Sequence, residues 1–265
     1  MLQSLLGNGE EGTRTKMSGQ KSLSPKDFVK EYSIKSLVCS FSGGKDSLVM
    51  THYVMSKLEG IDVDKYVVYA DTGVMLPTTT PFVEKVCRDF GWNLTIVYGN
   101  FWDYIEKGFP MPSMFRRWCC GLCKLEPIHE FVKTLKPQRA EVTGLRREES
   151  IRRRKLKELF YLRKSLVWKY APILDWTEKQ VFSYIRKNNL PMPPHYSQGI
   201  KETCQCGAFG SKKQMMILKA HFPELFQKFI DAEANFKTKG AAFYFQNKPV
   251  YAKDLAKQKT LEESV

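Results

Sequence analysis

Ser42-Gly43-Gly44-Lys45-Asp46-Ser47 sets two glycines, a lysine and two hydroxyls between an apolar run at 36–41 and a helix-like run at 48–57. A strand, a glycine turn and a helix start, in that order, make an anion site. The first N–H groups of a helix have no intrahelical partner, and the dipole there is positive. The glycines let backbone approach a phosphate closely. Lys45 adds a point charge, and Ser42 and Ser47 add hydroxyl donors. The Gly-x4-Gly-Lys-Ser spacing of the common P-loop is absent. The plain alternative is a connecting Gly-Gly turn, and the completeness of the motif in this context argues against it.

Two further polar motifs follow strand-like runs. Asp71-Thr72-Gly73 follows 66–70, where a carboxylate beside a triphosphate would hold Mg2+ or a ribose hydroxyl. Alone it reads as an ordinary Asp-Gly turn. Gly144-Leu-Arg146-Arg147-Glu-Glu-Ser150, with Arg153 beyond it, follows 140–143. Arginine forks bind phosphate or sulfate in bidentate fashion. Residues 146–164 hold nine Lys or Arg against three Glu. Arg146, Arg147 and Arg153 are assigned to the anionic part of a nucleotide. Lys155, Lys157, Arg163 and Lys164 read as a solvated basic helix or a diffuse nucleic-acid surface.

Five of the seven cysteines fall in two groups, Cys119-Cys120-x-x-Cys123 and Cys204-x-Cys206. Four thiolates from two hairpins suit a tetrahedral zinc site or a [4Fe–4S] cluster, and spacing does not decide between them. Cys-x-Cys is less usual in zinc ribbons, which tilts the reading toward a cluster. Cys120, Cys123, Cys204 and Cys206 are the first ligand choice, with Cys119 as substitute. Cys39 and Cys87 read as small buried hydrophobes. His52 and His129 read as packed, and His195, after a proline run, is given no role.

The elements that must position these residues alternate. Strands are expected at 36–41, 66–70, 94–98 and 140–143, with helices at about 45–58, 78–90, 121–136 and 177–188. This alternation predicts an α/β fold, a parallel sheet with helices on both faces, and ligands at the carboxyl ends of strands. From about 211 onward Leu218, Phe222, Leu225, Phe226 and Phe229 recur at helical spacing and read as a packing face. The expected division is a mobile tail at 1–28, a nucleotide-binding domain at 29–210 and a C-terminal helical appendage at 211–265.

The 265 residues carry a formal net charge of +14, with 43% hydrophobic and 13% aromatic residues. That describes a globular chain large enough for a substantial core. The positive excess favours polyanionic partners. No apolar run has membrane-spanning length and the first residues do not read as a signal peptide, so a cytoplasmic protein without a membrane partner is expected.

Taken together the motifs resemble the phosphoadenosine phosphosulfate (PAPS) reductase family within the PP-loop ATP pyrophosphatases, the adenine nucleotide alpha hydrolase-like enzymes. Ser42 to Ser47 is similar to its phosphate loop, and Asp71-Thr72-Gly73 to its second-strand motif. Trp118-Cys119-Cys120-Gly-Leu-Cys123-Lys124-Leu-Glu-Pro127 is similar to the tandem-cysteine motif of its iron–sulfur members. Gly144 to Ser150 is similar to its arginine motif, and 170–178 to the segment entering its next helix. The resemblance spans about 36 to 208.

It implies ATP or PAPS on Ser42, Gly43, Gly44, Lys45, Asp46, Ser47, Asp71, Thr72, Gly144, Arg146, Arg147, Ser150 and Arg153. Lys45, Asp46 and Arg146 would be catalytic, with Mg2+ and a [4Fe–4S] cluster, or Zn2+, on the five cysteines. The sulfate-reducing members attack with a thiol in a C-terminal Glu-Cys-Gly-like motif, and this sequence has no cysteine after Cys206. The leading expectation is therefore an ATP-dependent adenylating enzyme of sulfur transfer. Its acceptor would be tRNA, DNA or a small molecule, its sulfur donor a protein such as a cysteine desulfurase, and its assembly a homo-oligomer. The alternatives are a PAPS or adenylyl-sulfate reductase using an external or unusual thiol, and a non-catalytic nucleotide-sensing subunit.

Overall fold

The computed structural model describes residues 22–200, 203–208, 211–235, 243–245 and 248–258. The expected tail lies outside them up to residue 21. In order they form α1 (Pro25–Glu31), β1 (Ser36–Ser40), α2 (Lys45–Lys57), β2 (Asp64–Asp71), α3 (Thr79–Asp89), β3 (Leu94–Tyr98), α4 (Phe101–Glu106), α5 (Trp118–Cys120) and α6 (Glu126–Thr134). Then come β4 (Arg139–Thr143), β5 (Leu159–Leu162), β6 (Val167–Tyr170), α7 (Glu178–Lys187), α8 (Lys212–His221), α9 (Pro223–Asn235), β7 (Phe243–Phe245), β8 (Lys248–Val250) and α10 (Ala252–Ala256). No helix among the described residues is long and apolar enough to cross a membrane.

Six strands make one sheet in the order β3-β2-β1-β4-β6-β5. β1 runs parallel to β2 and β4, β4 runs parallel to β6, and β5 is antiparallel to β6. This is the α/β fold the alternation predicts. The order reverses direction between β1 and β4. Right-handed crossovers then put α2 and α3 on one face and α6 on the other. The carboxyl ends of β1 and β4 flank the switch point, where open α/β sheets bind ligands. Val38, Cys39, Ala140 and Val142 are fully buried, as the central strands of a sheet covered on both faces require.

The chain divides into two compact units. The first comprises 1–69, 82–97 and 128–193, and the second 70–81, 98–127 and 194–265. The first holds most of the sheet. α1 occupies 25–28 of the segment read as a tail. Ser24 caps it by accepting from the Asp27 N–H at 3.2 Å, Pro25 starts it, and Phe28 is fully buried against Tyr170 at 4.4 Å. Thr177 opens α7 through a reciprocal capping box with Gln180. Residues 147–149 and 151–155 are 3-10 turns, and β5 follows at 159–162, so the helical alternative for Lys155, Lys157, Arg163 and Lys164 is not what forms. His52 Nδ1 lies 3.0 Å from the Tyr184 hydroxyl, and His129 Nε2 lies 3.2 Å from Lys169 Nζ.

The second unit has its own apolar core. Leu218, Phe222, Leu225, Phe226 and Phe229 of α8 and α9 pack with Val74, Phe101, Met111 and Trp118. The residues read as an appendage therefore share a core with segments far earlier in the chain. The helix expected over 121–136 starts earlier and is interrupted. α5 leads into a wide π-type turn at Gly121–Leu125, in which the Glu126 N–H bonds the Gly121 carbonyl. Pro127 has no N–H to offer the Cys123 carbonyl four residues back, so an even α-helix was not available here.

Candidate nucleotide loop and thiol group

In the first unit the loop after β1 enters α2 through Gly43 at φ +78°, a left-handed conformation that glycine adopts without penalty. Gly44 is the N-cap of α2, and no side chain caps the helix. A helix start of this kind is where anions bind. Ser47 Oγ organises the loop. It donates to the Gly44 carbonyl at 2.9 Å and accepts from the Ser42 N–H at 3.2 Å, with Ser42 Oγ at 3.1 Å.

The charges around this loop are already paired. Asp46 accepts from Lys45 Nζ at 2.9 Å and from Arg146 Nε at 2.6 Å. Lys45 also lies 3.4 Å from Glu178, with its ammonium 5.8 Å from the Phe182 ring. Arg146 is 3% exposed and uses Nη1 on Glu148 at 2.7 Å and on the Trp176 carbonyl at 3.3 Å. Burial would lower its pKa, but Asp46 and then Glu148 hold it above the ordinary value, so it is a fixed cation. Its Nη2 makes no hydrogen bond among the described residues. Asp46 accordingly reads as a positioning residue that aims Lys45 and Arg146, rather than as a group that touches a nucleotide.

Gly144, at the end of β4, allows this closeness. A Cβ there would lie 2.8 Å from the Asp46 carbonyl oxygen and 2.9 Å from Ser47 Cα. The other members of the arginine motif turn to local partners. Arg147 pairs with Asp175 and donates to the Leu156 carbonyl at 2.8 Å. Arg153 pairs with Glu149. Ser150 Oγ caps the following turn by accepting from the Arg153 N–H at 3.3 Å.

Asp71 and Thr72 belong to the second unit. The Asp71 carboxylate accepts from the Gly73 N–H at 2.9 Å and from Thr80 Oγ1 at 3.2 Å, the arrangement of an Asp-Gly turn. Thr72 is buried, with Oγ1 3.8 Å from Cys204 Sγ. Cys204 is held by a short antiparallel clasp. Met75 bridges Cys204, the Leu76 N–H bonds the Thr203 carbonyl at 2.9 Å, and the Gln205 N–H bonds the Val74 carbonyl at 2.9 Å. His195 is 1% exposed, neither ring nitrogen has a hydrogen-bond partner among the described residues, and burial pulls its pKa down to about 4, so it is neutral.

Thiol hydrogen bonds that shift acidity link four cysteines: Cys119 with Cys120, Cys119 with Cys206, and Cys204 with Cys206. Cys123 is fully buried, and its thiol is pushed up to about 12 by burial and then by Cys204. Cys39 and Cys87 are buried in the first unit, as expected of small hydrophobes. All seven cysteines are free thiols.

The donor chemistry of the four suits a soft metal or a thiolate-held cluster. No group of three or more His, Cys, Asp or Glu among the described residues is arranged to hold a metal ion, however. The expected [4Fe–4S] or Zn2+ centre, and Mg2+ at Asp71, therefore gain no support from this geometry.

Cys120 differs from its neighbours. A hydrogen bond from the Cys119 thiol lowers its pKa, outweighing burial, whereas Cys119, Cys204 and Cys206 are all raised. A lowered pKa means more thiolate at any pH below it. Limited alkylation with iodoacetamide at pH 7.5 is thus expected to label Cys120 first, as read by peptide mass mapping. First labelling at Cys119, Cys123 or Cys206 would contradict this assignment.

Comparison with known proteins agrees with the geometry of the loop. Residues 36–243 match the phosphoadenosine phosphosulfate reductase domain. An uncharacterized protein of Methanocaldococcus jannaschii is 35% identical over 213 residues, which cover 78% of this chain and 49% of that protein. The chain thus spans about half the length of that relative. A phosphoadenosine 5′-phosphosulfate reductase of Photorhabdus laumondii is 29% identical over 174 residues, 61% of this chain and 66% of that enzyme. The fold is shared with a crystal structure of the PAPS reductase of Candida auris in complex with phosphate. Its TM-score is 0.52 at 21% identity, covering 68% of this chain and 87% of that one. With the phosphate-loop, arginine and cysteine motifs all inside the matched span, the chain belongs to the phosphoadenosine phosphosulfate reductase domain family.

Proposed function

We propose that this chain is a nucleotide-binding enzyme of sulfur metabolism that takes an adenylyl sulfate, PAPS or adenosine 5′-phosphosulfate, and reduces its sulfate to sulfite. The observation that carries this reading is the uncapped start of α2, with Lys45 and the buried Arg146 clamped on either side of Asp46. Backbone N–H groups and two fixed cations suit a phosphate bearing an anionic leaving partner. The similarity to a named PAPS reductase of Photorhabdus laumondii supports the same substrate class.

In this reaction a thiolate of an external dithiol attacks the sulfate sulfur. The bond from that sulfur to the phosphate oxygen breaks, and the adenosine phosphate leaves with the oxygen. The second thiol of the dithiol then attacks the S-sulfonated sulfur. Sulfite leaves and a disulfide forms, so the two electrons come from the dithiol. Lys45, Arg146 and the α2 N–H groups stabilise the charge that builds on the departing phosphate.

A second reading, ATP-dependent adenylation of an acceptor ahead of sulfur transfer, is favoured by the +14 net charge. One assay separates the two. The full chain is incubated with each adenylyl sulfate and thioredoxin, and in parallel with ATP. Sulfite release that fails in Arg146→Ala is the expected result. Pyrophosphate from ATP without sulfite from either adenylyl sulfate would overturn it in favour of the second reading.

A further inference from the structure

The charges of 146–164 do not balance. The nearby carboxylates are committed: Asp46 and Glu148 to Arg146, Glu149 to Arg153, and Asp175 to Arg147. Arg152, Arg154, Lys155 and Lys157 are exposed and make no ion pair or side-chain hydrogen bond with any described residue. The same holds for Arg163 and Lys164, at the tip of the β5–β6 hairpin. These six cations bracket β5, the edge strand of the sheet. A 3-10 turn rises about 2 Å per residue and a strand about 3.3 Å, so the row from Arg152 to Lys164 spans at most roughly 36 Å.

A charge on an edge strand or beside it discourages stray pairing. β5 itself is Leu159-Phe160-Tyr161-Leu162 and carries none. A surface built for solubility mixes both signs. The exposed charges from Arg152 to Lys164 are all positive and make no ion pair with any described residue, and the carboxylate among them, Glu158, is buried.

Between the two groups of cations lies an aromatic platform. Tyr161 and Trp168 are register partners across β5 and β6, with ring centroids 5.0 Å apart, and both are half-buried. Tyr32 packs on Trp168 at 4.3 Å. Cations along a backbone track with aromatic rings between them are the two parts of a single-strand nucleic-acid site. Phosphates take the charges and unpaired bases stack on the rings.

We propose that the β5 edge of the sheet, with its flanking cations, docks single-stranded nucleic acid. Lys and Arg read phosphate without reading sequence, so binding is tolerant of sequence and steep in salt. The inference does not rest on which nucleotide the loop after β1 takes, and its failure would leave that reading standing.

The test is anisotropy of a labelled 20-nucleotide single-stranded RNA with the full chain across a KCl series. In a variant carrying Arg152→Gln, Arg154→Gln, Lys155→Gln and Lys157→Gln, the log–log salt slope is expected to become shallower by about 3, from about 0.7 per phosphate contact. Tyr161→Ala is expected to weaken binding roughly 5- to 150-fold without changing the slope, while Tyr161→Phe, which keeps the ring, binds like the parent. Thermal midpoints confirm that each variant is folded. Should the fourfold variant not fold, Arg154→Gln alone is expected to shift the slope by about 0.7. Absence of RNA binding, an unchanged slope, or binding of phosphatidylserine vesicles in place of RNA would overturn the proposal. Equal affinity for duplex DNA that is indifferent to Tyr161→Ala would overturn the stacking platform.

Discussion

Asp46→Ala is expected to lower stability by about 3 kcal/mol and to abolish nucleotide binding, because it strips the counter-charge from a buried guanidinium. Asp46 Oδ1 lies 2.6 Å from Arg146 Nε and Oδ2 lies 2.9 Å from Lys45 Nζ. Arg146 is 3% exposed and cannot move to water without opening the end of β4. Glu148 remains on Nη1, which keeps the loss toward the low end of that range. Asp46→Asn keeps an acceptor without the charge and is expected to fall between the parent and the alanine variant. Glu148→Gln, on a half-exposed carboxylate, is expected to cost less than about 1 kcal/mol. Urea midpoints with nucleotide titrations on the same preparations check the set. An Asp46→Ala variant within about 1 kcal/mol of the parent by the same linear extrapolation would contradict the clamp.

Gly99→Ala is expected to prevent the second unit from packing. An added Cβ would overlap the Cys123 carbonyl and lie 2.5 Å from Cys123 Cα. Cys123 is fully buried in the π-type turn, so backbone would have to yield on backbone. Overpacking with no side chain free to swing aside costs about 3 kcal/mol or more. Gly108 is the matched control in the same unit. Its φ is +90°, but a Cβ added there would meet nothing within 4 Å, so Gly108→Ala carries only the conformational cost of about 1–2 kcal/mol. Fluorescence of Trp102 and Trp118, both in this unit, together with soluble yield, reads the difference. A Gly99→Ala chain as stable as Gly108→Ala would mean that the close approach of these two segments is not required.

The nucleotide loop was legible in the sequence because its information is local. Two glycines, a lysine and a serine between an apolar run and a helical one need no distant contact to be read. Strand alternation likewise placed β1 to β4, and the helix expected at 177–188 forms as α7. The losses have distinct causes. α1 was hidden in a polar tail, although Ser24-Pro25-Lys26-Asp27 carries a cap, an N1 proline and a first-turn acid. β5 was masked by the basic residues on both sides of it, which drew the segment into a helix reading. The break in the helix expected over 121–136 required knowing that Pro127 denies the Cys123 carbonyl a helical partner and that the turn widens there. The role of Asp46 depends on Arg146, a hundred residues away, and spacing along the chain does not reveal a pairing of that kind. The interleaved division into two units follows from strand ends such as Ala70 and Tyr98, where the chain leaves the sheet.

The central claim is that the loop after β1, with Lys45 and Arg146, binds the phosphate of an adenylyl nucleotide. Isothermal titration of the full chain with adenosine 5′-phosphosulfate, PAPS and ATP tests it most directly, run beside Lys45→Ala. The account predicts saturable one-site binding of at least one of the three. It also predicts that Lys45→Ala weakens this binding at least about tenfold, the effect of losing one charge-assisted hydrogen bond. No saturable binding of any of the three, or equal affinity in Lys45→Ala, would contradict it.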